Sequence, residues 1–99
     1  MGLNGEIMPR PKKRRNCECG MHGQAFKPVG RPMVDLEEIR LYRDELEVLR
    51  LCDLEGLVQE EAGQRMGVSR GTVQRLLASA RKKTAQALVE GAALVFVEE

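Results

Sequence analysis

Ninety-nine residues with three aromatics, 42% hydrophobic residues and a formal charge of +1 allow one small domain with a modest aliphatic core, plus tails. No apolar run approaches membrane-spanning length, no apolar leader segment follows the basic stretch near the N-terminus, and three cysteines, an odd number, do not make a disulfide scaffold. These features predict a chain of the reducing cytoplasm with no membrane partner.

The near-zero net charge conceals segregation. Residues 8–31 hold seven Lys/Arg against one acid, residues 32–56 eight acids against three bases, and residues 57–83 six bases against two acids. The local field, rather than the sum, steers a polyanion. Residues 1–7 (MGLNGEI) carry no pattern, and Met8 begins a different composition, so an upstream extension with the native start at Met8 stands beside a native N-terminus. Residues 8–16 (MPRPKKRRN) place Arg10, Lys12, Lys13, Arg14 and Arg15 among two prolines. Such a segment buries nothing and is disordered alone. It is either a solubilising tail or, as the reading favoured here, an arm that follows phosphates or enters a minor groove. The Gly-Arg-Pro at 30–32 suits a narrow groove too, on weaker grounds.

Cys17, Cys19 and His22 form a candidate soft-metal ligand set for zinc or copper(I). The Cys-x-Cys spacing is tighter than usual structural zinc spacing and a fourth ligand is missing, so an unligated loop is the favoured reading. Residues 34–43 then alternate, Ile39 and Leu41 against Glu38 and Arg40, which predicts a half-exposed strand. Asp44 is expected to cap a helix with Glu47 in capping-box position. Leu46, Val48, Leu49, Leu51 and Cys52 give that helix an apolar face, and Gly56 ends it.

Residues 59–77 (QEEAGQRMGVSRGTVQRLL) have the spacing of a helix-turn-helix. Ala62 and Gly63 are small where a second helix would cross, Met66 returns to the same face, Gly67 permits positive φ, and Val68 is expected to plug the gap. Ser69 is an N-cap, and Val73 and Leu76 face the core. An ordinary αα-hairpin shares part of this pattern. Basic and polar residues on the outward side of the second helix favour a major-groove reading surface instead. The second helix has no stop before Gly91, and Arg81, Lys82 and Lys83 fall where it would pass the phosphate ridge. The final AALVFVEE is β-prone and apolar on both faces. It is expected to pair with residues 39–42, either in its own chain or, as favoured here, in a second chain of a homodimer.

The pieces ELEVLRL, DLEGL, QEEAGQRMGVSRGTVQRLL and ARKK resemble region 4 of bacterial sigma factors, over residues 43–88. That resemblance implies promoter-type DNA reading by Ser69, Arg70, Thr72, Gln74 and Arg75, and RNA polymerase as a further partner. Val58 departs from it, standing where a serine-type cap is usual, and no sigma region that melts a promoter is present. From Met8 onward the chain is more similar still to a small prokaryotic family of predicted DNA-binding proteins, through MPRPKKRRNC, FKP, DELEVLRLCDLEGL and QEEAGQRMGVSR.

The expectation is a mainly α fold: a three-helix sigma-region-4-like unit with a minor two-stranded β element over residues 34–99, behind a flexible basic arm over residues 1–33. The expected function is sequence-specific binding of double-stranded DNA in transcription regulation, with no catalysis and no required cofactor. Two rivals remain, a metal or redox sensor built on Cys17, Cys19 and His22, and a module that docks on the transcription machinery.

Overall fold

The computed structural model describes residues 24–98; the basic segment at 8–16 and the Cys17/Cys19/His22 set lie outside the described residues. What is described is mainly helical, with a small sheet. Strand β1 (Ala25–Phe26) precedes a short 3₁₀ turn (Met33–Asp35) and strand β2 (Glu38–Tyr42). Helix α1 (Arg43–Val48) runs directly into a π-helical segment (Leu49–Leu54). Helices α2 (Gln59–Met66) and α3 (Arg70–Glu90) and strand β3 (Ala93–Val97) follow.

The sheet order is β1-β3-β2, with β3 antiparallel to β1 and parallel to β2. Ile39 stands opposite Leu94 and Leu41 opposite Phe96. The alternation in β2 works as expected: Ile39 and Leu41 are buried, Glu38 and Arg40 exposed. Parallel neighbours require a crossover connection, and here the crossover is the entire helical unit between residues 42 and 93. The helices are therefore tied to the sheet at both ends.

Two expectations about the sheet need correction. It has three strands among the described residues, not two, because Ala25–Phe26 adds to the free edge of β3; two residues are too short to show alternation, and they lie ahead of position 34. Strand β3 also finds both neighbours in its own chain, so the pairing with residues 39–42 is intramolecular. The Phe26 and Phe96 rings pack at 5.6 Å between centroids.

The expected cap of α1 is also displaced. Tyr42, the last residue of β2, is the N-cap, and Glu45 rather than Glu47 takes the third helical position, accepting the Tyr42 N–H at 2.9 Å. The strand passes into the helix with no turn between, which puts Asp44 inside the first turn, where it and Glu45 complement the helix dipole. Glu47 pairs with Arg50 instead. The helix ends as read: Gly56 has φ +84°, and the Leu57 N–H reaches back to the Leu51 carbonyl at 2.9 Å.

The α2–α3 connection is three residues long. Gly67 takes φ +74°, a left-handed conformation open to glycine at no Cβ cost, and the Val68 N–H closes on the Gly63 carbonyl at 2.9 Å. Ser69 Oγ then accepts the Thr72 N–H at 3.1 Å as N-cap of α3. Ala62 and Gly63 are buried at the crossing. Val68 does not plug the gap with its side chain, which is 36% exposed. Its backbone makes the contact: a Cβ on Gly63 would lie 2.7 Å from the Val68 carbonyl oxygen and 3.4 Å from Val73 Cγ2.

Along α3, Val73, Leu77, Ala80 and Ala87 form the buried stripe, with Leu76 packed at its margin. The alanines let α1 and the sheet approach closely. Leu41, Val48, Leu51 and Val73 are the largest fully buried side chains.

Candidate nucleic-acid interface

The face of α3 opposite the buried stripe exposes Arg70, Gly71, Gln74, Arg75, Ala78, Arg81 and Lys82. These positions recur at helical spacing because the core claims the other side. Gly71 and Ala78 keep the face low, and a Cβ on Gly71 would meet nothing closer than 3.8 Å. Thr72 lies half-buried at the edge, in a short relay. Its hydroxyl is 3.0 Å from Ser69 Oγ and accepts from Arg75 Nη2 at 3.2 Å. The residue that caps the helix thus also steadies the first guanidinium past its opening turn.

Charge completes the description. Arg65, Arg70, Arg75 and Lys82 make no ion pair among the described residues. Three of them are on α3, and Arg70 and Arg75 stand at its N-terminal end, where backbone N–H groups add positive potential.

The two other expected contacts on α3 are otherwise engaged. Arg81 forms a two-pronged pair with Asp53, Nε at 3.0 Å and Nη2 at 2.7 Å. That hydrogen bond holds the Asp53 carboxyl below its ordinary range against the opposing effect of burial, and raises Arg81 in turn. Lys83 turns inward. Its ammonium donates to Glu45 Oε1 and to the Arg40 carbonyl, each at 2.8 Å, and lies 4.6 Å from the centre of the Tyr42 ring. Ser79 also donates to the second oxygen of Glu45. Burial pushes the Glu45 carboxyl up, but bonds from Lys83, Ser79 and the Tyr42 N–H, with the Lys83 charge, outweigh it and leave its pKa lowered.

Sequence reasoning missed this Glu45–Lys83–Ser79 cluster. One signal was present: Lys83 is three residues after Ala80 and four before Ala87, on the inner side of α3. Cys52, expected on the apolar face of the first helix, is half-buried in the π-helical segment, and its thiol is raised by burial and then by Asp53. No group of three or more His, Cys, Asp or Glu among the described residues is placed to hold a metal ion. No described helix is long and apolar enough to cross a membrane.

Comparison with known proteins gives a consistent set of matches. Residues 7–98 match the family described as protein of unknown function DUF134. A UPF0251 protein of Halothermothrix orenii is 51% identical over 89 residues, covering 90% of this chain and 66% of its own length. One from Desulforudis audaxviator is 53% identical over 87 residues, covering 88% of this chain and 57% of its own. One from Vibrio parahaemolyticus is 50% identical over 93 residues, covering 93% of this chain and 96% of its own. The chain thus spans less than two thirds of the first two relatives and nearly all of the third. No solved structure matches.

Proposed function

The chain belongs to the DUF134/UPF0251 family, a small prokaryotic family of unknown function, and on that premise we propose that it binds double-stranded DNA sequence-specifically and thereby regulates transcription. The reading takes α2 and α3 as a helix-turn-helix of the sigma-region-4 type, with α3 as the helix that enters the major groove. One observation carries it: the N-terminal half of α3 holds Arg70, Gln74 and Arg75 exposed on a low face, with both guanidiniums free of carboxylates among the described residues. An αα-hairpin with a purely structural task has no need of uncompensated cations there.

In this account Arg70 and Arg75 address base edges, where an arginine fits guanine with two hydrogen bonds. Gln74 and Thr72 add shorter-range polar contacts, and Ser69 supports them as the cap. Lys82 reaches a phosphate. Arg81 and Lys83 act within the fold through Asp53 and Glu45 rather than as primary DNA contacts. The basic segment of Arg10, Lys12, Lys13, Arg14 and Arg15 adds electrostatic affinity that does not depend on sequence. The protein is a binding protein and not an enzyme in this reading. Assembly into a homodimer is a further part of the proposal, and docking on RNA polymerase is its rival. Any dimer contact falls outside the strand edges of β3, which are already paired.

Selection of duplexes from a random pool, followed by titration of the enriched sequence, tests the proposal. Enrichment of a common motif supports it. A protein that enriches no motif and shows no binding even at low salt rules it out.

A further inference from the structure

The face of the sheet that meets the helices does not close completely. Between it, α1 and the C-terminal end of α3 lies a cleft of about 650 Å³. Leu41, Leu94 and Phe96 line its sheet side, Leu46 of α1 and Leu49 at the start of the π-helical segment a second side, and Ala87 and Leu88 the α3 side. The segment Phe26–Pro28 closes one flank, with Pro28 Cγ within 3.9 Å of where a Cβ on Gly91 would stand. Such a volume is in the range of small-molecule sites, roughly 300–1,000 Å³, which are mostly apolar with few polar groups.

Two lining residues carry polar side chains. The Thr84 hydroxyl is committed to the Ala80 carbonyl at 2.8 Å. Lys27 supplies the sole charge of the lining. Its ammonium donates to the Arg31 carbonyl, with the Pro28 carbonyl 3.5 Å away, and it has no carboxylate partner among the described residues. An apolar cleft with one uncompensated cation is complementary to an amphiphile that has one anionic head.

We propose that this cleft is a binding site for a medium-chain aliphatic carboxylate, its chain held among Leu46, Leu49, Leu88 and Phe96 and its carboxylate paired with Lys27. A group the size of a methylene or a water takes about 30 Å³, so a chain of about ten carbons fills roughly half of the cleft. The site is remote from Arg70 and Arg75 along the same helix, and the inference goes beyond the DNA reading and stands without it.

Calorimetric titration of the full chain with sodium decanoate, at monomeric concentrations of the acid, is the test. One site per chain is expected. Octanoate should bind about fifteenfold more weakly, at about fourfold per methylene. Lys27→Met should weaken decanoate about fivefold and leave decanol unchanged. Leu88→Asp, at a position 79% exposed and so tolerant of substitution, should weaken both ligands tenfold or more, with circular dichroism confirming the fold. Absence of saturable decanoate binding overturns the proposal. So does binding that ignores chain length. A Leu88→Asp variant that turns a dimer into a monomer in sedimentation, with no decanoate uptake by the parent chain, assigns the cleft to a second copy instead.

Discussion

Glu45 places a carboxylate in a core that is otherwise aliphatic, and that burial defines what Lys83 does. The Glu45 side chain is 6% exposed and that of Lys83 25%, so removing either partner strands a charge away from water. Lys83→Met is expected to lower unfolding stability by about 3 kcal/mol in urea denaturation, the low end for a broken buried pair because the lysine keeps some solvent. The pH dependence follows from the lowered Glu45 pKa. A depressed carboxylate contributes stability in full above its ordinary range and loses it as pH falls through the folded value. The stability gap between the parent chain and Glu45→Gln should therefore be widest near neutrality and close in acid. A gap that widens in acid contradicts the assignment. Gly63 tests a different physical term. A Cβ there meets a backbone oxygen, which cannot swing aside as a side chain tip would. Gly63→Ala should cost about 1–3 kcal/mol as overpacking, read as a lower melting temperature. An unchanged transition would mean that α2 and α3 shift apart freely.

The elements differ in how much of them the sequence disclosed. The α2–α3 pair was legible because its determinants are local: Gly67 for positive φ, Ser69 for the cap, Ala62 and Gly63 for the crossing, Gly91 for the stop. Strands β2 and β3 were legible from the Ile39/Leu41 alternation and the ALVFV run, but not whether their pairing was within one chain. That depends on where the whole helical unit returns residue 93, which no local pattern encodes. Strand β1 was not legible, since two residues carry no period. The cap of α1 was misplaced because Asp44 is a strong capping residue by type, while the end of β2 decides where the helix begins. Lys83 looked like a phosphate contact among Arg81, Lys82 and Lys83, and its helical phase was the overlooked signal. Intramolecular pairing makes a prediction of its own. Ending the chain at Gly91 removes buried Ala92, Ala93 and Leu94 and leaves β1 and β2 without their shared partner. Such a chain should lose its cooperative thermal transition, whereas a strand used only between chains would leave a folded monomer behind.

On the scale of the molecule, charge is arranged rather than accumulated. The +1 total coexists with a face of α3 on which Arg70, Arg75 and Lys82 have no carboxylate partner among the described residues, and with a basic stretch in the sequence at residues 8–15. Deleting residues 8–15 should weaken binding to all duplexes alike and flatten the salt dependence, since each phosphate neutralised contributes about 0.9 to the log–log slope. An unchanged slope would place that stretch away from DNA. The central claim, that α3 reads bases through its N-terminal half, is met most directly by comparing the parent chain with Arg75→Ala on the selected duplex and on random duplex at one salt concentration. The account predicts a loss of about 1–3 kcal/mol on the selected duplex, little change on random DNA, and relaxed preference at one position of the motif. Equal loss on both duplexes, or none on either, would contradict it.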